Sequence, residues 1–179
     1  DTLVFSRRAG LHASDISKQK SHEPIDDSAA DGDRSAIQEM LDRDGGGESF
    51  GPIRLEMGQT MNEHLAVFRD QEGMEAALAK LRELWDRYGR VSVADKGKTF
   101  NTNLVFTLEL GFMLDCAATI VMSGLERKES RGAHNRTDMP ERDDDKWLKH
   151  VMLIKGPETP SVEYLPVVIT QWTPEARKY

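Results

Sequence analysis

At 179 residues the chain has room for one domain, or one domain with an appendage, and its 24 Lys and Arg against 31 Asp and Glu give a net charge of −7. A field of that sign argues against non-specific binding to nucleic acid or an anionic membrane, so no nucleic-acid partner is expected. The single cysteine, Cys116, excludes an intrachain disulfide and a cysteine cluster for zinc or iron–sulfur, which makes a reducing compartment the default.

No apolar run reads as reaching the roughly eighteen residues of a membrane-spanning helix, and the first residues form no signal peptide. The start at Asp1, without Met and in mid-pattern, points to a processed or truncated product. Residues 1–20, "DTLVFSRRAGLHASDISKQK", open like a helix, with Leu3, Val4, Phe5, Ala9 and Ala13 at roughly helical spacing. Over residues 21–50 the composition turns to Asp, Ser, Ala and Gly, which predicts a linker with a short helix at Arg34–Leu41.

Residues 51–128 carry the strong helical patterns. In Pro52–Arg69 the apolar stripe is Ile53, Met57, Met61, Leu65 and Phe68, with Pro52 suited to a first turn. Gln71–Tyr88 gives Met74, Leu78, Leu81, Trp85 and Tyr88, and Gly89 stops it. After a turn with one strand-like alternation, "RVSVADKGKTFN", Asn101 caps a long segment to about Glu126. Its apolar side is read as Leu104, Val105, Leu108, Phe112, Ala118, Val121, Met122 and Leu125, with Cys116 as a packing residue. One stripe per helix predicts a mainly α fold: an antiparallel three-helix bundle, followed over residues 129–179 by a charged loop and a small C-terminal β unit. The β unit comes from "WLKHVMLIKG" and "SVEYLPVVITQW", two strands around a Gly-Pro turn.

The loop "ESRGAHNRTDMPERDDDKWLKH" is the part whose chemistry is not explained by packing, since half of its residues are charged. His134 and His150 stand sixteen positions apart with no zincin or calcium-loop spacing between them, so no metal site is expected. Ser130 and Cys116 belong to no nucleophile motif, and Gly45–Gly47 lies in a polar linker rather than between a strand and a helix. Guanidinium groups pair bidentately with carboxylates, so Glu129, Asp138, Asp143 and Asp144 are set against Arg131, Arg136 and Arg142. Gly132 lets the backbone turn after the helix, and Pro140 stiffens the excursion. Such a network either pins a long connection or turns a cation toward a neighbouring domain.

At these residues the sequence resembles the flavoprotein subunit of succinate dehydrogenase and fumarate reductase. Arg127, Glu129, Ser130, Arg131, Gly132, Ala133, His134, Arg136, Asp138, Pro140, Arg142, Asp143, Asp144, Trp147 and His150 all stand where that family's C-terminal signature has them. "VFRDQEGMEAALAKLREL", "FNTNLVFTLELGFMLDCA" and the terminal "EARKY" extend the similarity, and "DTLVFSRRAG" resembles the last helix of the family's FAD-binding domain, with Ser6 where a Gly is common. The ending is most similar to bacterial succinate dehydrogenases.

The resemblance implies that the catalytic residues lie upstream of Asp1 and that none is in this stretch. It implies FAD as cofactor, bound by the upstream domain and not by this stretch alone. The upstream FAD-binding domain, an iron–sulfur subunit and, indirectly, membrane-anchor subunits are the implied partners, at the cytoplasmic side of the inner membrane. It further implies a role for Arg131 and Arg177 in covalent flavin attachment, as fixed cations facing developing negative charge. Glu129, His134, Arg136, Asp138, Arg142, Asp143 and Asp144 are left as the structural network. The readings that compete are fumarate reductase, which shares the same motifs, and a stand-alone helical docking module. L-aspartate oxidase shares a shorter motif and is disfavoured by the tail ending in Arg177-Lys178-Tyr179.

Overall fold

Helix signals dominate the sequence, and helices dominate the computed structural model, which describes residues 2–43, 46–156 and 159–175. The chain divides into two units, Asp1–Glu39 and Met40–Tyr179. In the first, α1 (Thr2–Gln19) covers the expected opening helix but buries none of its residues, and Leu3, Val4 and Phe5 are 86%, 61% and 62% exposed. A single 3-10 turn (Asp27–Ala30) follows, its start capped by Asp26, whose Oδ1 accepts from the Ser28 N–H at 3.0 Å. It leads into α2 (Asp31–Asp42), which extends the expected short helix at both ends.

The second unit holds the core, built by α3 (Phe50–His64), α4 (Gln71–Tyr88) and α5 (Thr102–Glu126). Side chains set the starts of α4 and α5. Asp70 Oδ1 accepts from the Gly73 N–H at 2.7 Å, and Asn101 Oδ1 from the Leu104 N–H at 2.8 Å. Both satisfy donors that a first helical turn otherwise leaves without partners. Met74, Ala77, Leu81, Leu84 and Tyr88 of α4 are buried against Ile53 and Met57 of α3 and Leu110, Leu114, Ala117 and Val121 of α5. Each large apolar side chain buried in this way contributes about 1.5–3 kcal/mol. Gly111 lies where α5 meets α4: a Cβ there would stand 2.7 Å from the Tyr88 hydroxyl, so only glycine permits the approach.

Several expectations change here. α3 stops at His64, not Arg69, and Phe68 is 65% exposed. Leu65 still donates its N–H to Met61 O at 2.9 Å, but Phe68 and Arg69 are drawn into a two-residue strand, β1 (Phe68–Arg69). On α4 the buried stripe takes Ala77 and Leu84, with Leu78 and Trp85 only partly buried at its border. On α5 the expected stripe holds only in part: Val121 is buried and Ala118 and Leu125 pack against the core, but the other buried positions are Thr107, Leu110, Gly111, Leu114, Ala117 and Gly124, while Val105 and Phe112 are 49% and 68% exposed. Cys116 is exposed as well. α5 matches its expected length but overturns the reading that no stretch is long and apolar enough to span a membrane. At 25 residues, with an 18-residue stretch of mean hydropathy 1.8, it is long and apolar enough to cross a membrane, although a third of that stretch is buried inside the protein. A helix that is apolar on most sides has no periodicity to fix its phase. The turn after α4 forms no strand, although Val91 and Val93 are buried.

The charged stretch folds back over the helices through three short elements. β2 (Asn135–Arg136) pairs in parallel with β1, α6 (Asp144–Trp147) is a single turn, and β3 (Lys149–Ile154) pairs antiparallel with β4 (Ser161–Pro166). The last two are the expected hairpin, with Val151 opposite Tyr164. Pro157 of its turn lies outside the described residues.

Candidate functional site: an arginine–carboxylate network

α5 ends at Glu126, and three residues later Glu129 turns its carboxylate inward until it is fully buried. A buried carboxylate is costly unless every lone pair is met. Arg127 Nη1 donates to Glu129 Oε1, Arg131 donates to Oε1 and Oε2 at 2.7 and 3.0 Å, and the Asp143 N–H donates to Oε2 at 2.8 Å. Burial pushes the Glu129 carboxyl up, but these donors outweigh it and hold the group below the ordinary glutamate value. It is therefore an anion at neutral pH.

Two guanidinium groups then converge on Asp144. Arg131 Nη2 donates to its Oδ1 at 2.6 Å, and Arg142 donates to both carboxylate oxygens, through Nε at 2.7 Å and through Nη2. Hydrogen bonds from Arg142 and Arg131 hold the Asp144 carboxyl far below the usual range, and the bond to Glu129 raises Arg131 in turn. Arg127, Arg131 and Arg142 thus share Glu129 and Asp144, three cations on two anions. Arg127 also ties the network to the hairpin, donating to Trp147 O at 3.0 Å and to Lys149 O. Arg142 Nη1 donates to Glu175 O at 2.8 Å, which tethers the tail two positions before Arg177.

Arg136 forms a second cluster and is fully buried. Its Nε and Nη2 grip Asp138 at 2.7 Å each, Nη2 also reaches Gln71 Oε1 at 3.1 Å, and Nη1 reaches the carbonyls of Gly124 and Arg127 at 3.4 Å. Asp138 in turn accepts from the Gln71 N–H at 3.0 Å, so one carboxylate both neutralises Arg136 and caps α4. The Arg136 guanidinium holds Asp138 down at about 2. Ser130 closes the loop beneath, accepting from the Arg136 N–H at 2.8 Å and donating to Met139 O at 2.9 Å. The turn Arg131–His134 is a tight bridge that places Gly132 at φ 60°, a conformation in which a side chain would be strained. His134, half-buried, accepts at Nδ1 from Arg69 Nη1 across 3.2 Å and approaches Arg127 O through Nε2 at 3.4 Å.

The residues singled out in the sequence therefore separate into two clusters, Glu129 with Arg131, Arg142 and Asp144, and Arg136 with Asp138. Asp143 joins neither as an arginine partner. Its side chain caps α6 by accepting from the Lys146 N–H at 3.0 Å, and only its backbone serves Glu129. Arg131 is not a free cation, because Glu129 and Asp144 both engage it; its side chain stays 26% exposed. Arg177 lies outside the described residues. Sequence reasoning gave no network role to Arg127, Ser130 and Gln71, nor to Arg69. For Arg127 and Ser130 the signal was present in the signature itself, whereas Gln71 and Arg69 sit more than sixty positions from their partners.

The comparisons with known proteins decide the relationship. Residues 54–179 match the family described as the fumarate reductase flavoprotein C-terminal region. The chain belongs to that family. It is 41% identical to the fumarate reductase flavoprotein subunit of Haemophilus influenzae, over all of this chain and 30% of that protein. It is 35% identical to the succinate dehydrogenase flavoprotein subunit of Rickettsia bellii, over 99% of this chain and 30% of that one. Among solved structures, an E. coli quinol fumarate reductase superposes with a TM-score of 0.88 at 35% identity, over 97% of this chain and 30% of that one. The chain thus spans about 30% of the length of the relatives it matches. Expected to lie nearest to bacterial succinate dehydrogenases, it is instead more similar to the fumarate reductase of H. influenzae than to the succinate dehydrogenase of R. bellii.

The family name implies a flavin, for which the described residues offer only open cavities. The cavities of about 420, 450 and 430 Å³ open broadly to the surface. None of the three is lined by a glycine-rich strand-to-helix turn to cradle a diphosphate, so the described residues alone do not fit FAD.

Proposed function

We propose that this chain is the C-terminal region of an FAD-dependent flavoprotein subunit that interconverts fumarate and succinate, and that its own task is to brace the flavin-carrying domain. The observation that supports this is the Glu129 network, met donor for donor and carried on a signature that matches the family over residues 54–179. On this reading α1 is the last helix of the FAD-binding domain, residues 21–50 are the linker, and α3, α4 and α5 form an antiparallel bundle. FAD is bound upstream, electrons exchange with quinone through an iron–sulfur subunit and a membrane anchor, and the flavoprotein sits peripherally on the cytoplasmic side. The higher identity to fumarate reductases favours fumarate reduction over the succinate oxidation that the sequence alone suggested.

Within this stretch, Arg131 and Arg177 are assigned to support of flavin attachment. Support comes from the surplus cation of the network and from the tether of Glu175 to Arg142. The test uses the full-length flavoprotein with its partner subunits. Quinol-driven fumarate reduction faster than succinate oxidation is expected, and a complex that turns over neither acid overturns the reading. Arg131→Ala and Arg177→Ala are expected to leave a folded protein whose flavin is lost on denaturation; covalent flavin retained in both removes that role.

A further inference from the structure

Beside the network lies a cavity of about 420 Å³, lined among others by Arg69, Ile120, Ser123, His134, His150 and Val151. Two arginines line it, Arg127 and Arg69, and the second is unusual for this neighbourhood. Arg127, Arg131, Arg136 and Arg142 each hold a carboxylate, whereas Arg69 has no carboxylate partner among the described residues. Arg69 is nevertheless partly buried and oriented at two points, through Nε to Ala66 O at 3.1 Å and through Nη1 to His134 Nδ1 at 3.2 Å. These contacts leave Nη2 without a hydrogen-bond partner among the described residues.

A partly desolvated guanidinium with no counter-ion is costly, and one already held in place loses little freedom when it binds an oxyanion. Burial, together with the charges of Arg69, Arg136 and Arg127, lowers the His134 imidazole, so it stays neutral and able to accept from Arg69. No acidic side chain lines the cavity; His150 and the Ser123 hydroxyl add donors, and Ile120 and Val151 supply aliphatic wall. The lining asks for a carboxylate attached to a short methylene segment.

We infer that this cavity is a carboxylate-binding site in which Arg69, positioned by His134, takes either a small free organic acid or an Asp or Glu side chain from elsewhere in a longer flavoprotein. The site itself does not depend on the redox reading above, whereas a side-chain occupant rests on that reading. Arginine-directed labelling with phenylglyoxal, read peptide by peptide in a mass spectrometer, tests it with malonate as the probe. In the 179-residue chain, malonate is expected to slow labelling of Arg69 saturably, about fivefold or more at millimolar concentration, relative to chloride of equal ionic strength. Exposed Arg54 and Arg82 provide the comparison and should not respond. Equal labelling in malonate and chloride overturns the proposal, as does an Arg69 that does not react at all. The full-length subunit then distinguishes the sources. Arg69 protected without malonate identifies a protein side chain, protection only with malonate identifies a free acid, and protection in neither case overturns the site.

Discussion

Leu81 and Arg136 are about equally hidden from water, at 1% and 0% exposure, yet they are held by opposite means. Leu81 sits among Met57, Met74, Leu114 and other apolar neighbours in one core cluster, where contacts are non-directional and a void is the worst outcome. Arg136 and Glu129 sit among carbonyls, carboxylates and N–H groups, where each bond has a direction and a missing partner leaves a buried charge. The apolar region can lose a methylene and relax. The charged region cannot lose a partner without keeping the cost of the one that remains.

That contrast predicts a ranking. Removing one member of the buried pairs should be the most damaging change: Glu129→Ala or Arg136→Ala is expected to cost about 3–5 kcal/mol, since each strands opposite charge in the interior. Urea denaturation of the 179-residue chain measures it. A loss below about 1 kcal/mol in both variants would mean that water reaches these groups and the two regions do not differ. Leu81→Ala should follow, at about 2–5 kcal/mol, the cost of lost burial plus a cavity that the helices only partly close. Its measured loss should add to that of Glu129→Ala, because the sites share no partner; strong coupling would show the two regions to be one.

Acid should act on the ion pairs without mutation. The Arg136 guanidinium depresses Asp138 from 3.8 to about 2, and Glu129 is lowered too. For groups depressed on folding, the stabilisation is complete above the unfolded value and disappears as pH falls through the folded one. Stability should therefore decline between about pH 4 and pH 2, and Asp138→Asn should flatten that decline while leaving the Leu81 region unaffected. A midpoint in urea that stays constant across this window in the parent chain would remove the ion pairs from the account.

The same contrast explains what could be read in advance. The boundaries of α4 were legible to the residue because Gln71 and Gly89 bracket a stripe with clear polar gaps. The phase of α5 was not, because Val105, Phe106, Phe112 and Ile120 are apolar residues on an exposed side and blur the stripe. Within the network, it was legible from opposite charges close in sequence that Arg136 and Arg142 would meet Asp138 and the Asp143–Asp144 run. The choice between Asp143 and Asp144 was not, since adjacent aspartates are chemically identical until α6 gives one a cap to make and the other two arginines to hold. Arg136 pairing across to Gln71, and Arg69 to His134, are long-range contacts that no local spacing encodes.

The smallest effect should come from α1, which buries none of its residues. Phe5 is 62% exposed on a helix that buries no residue. In the 179-residue chain Phe5→Ser should change stability by less than about 0.5 kcal/mol, as surface substitutions do. If α1 closes an FAD-binding domain in a longer flavoprotein, the same side chain is buried there, and its loss should cost about 3–5 kcal/mol. Parallel denaturation of the short and full-length proteins reads the difference directly. A difference below about 1 kcal/mol would leave α1 as an exposed helix in both and withdraw its assignment to the flavin-carrying domain.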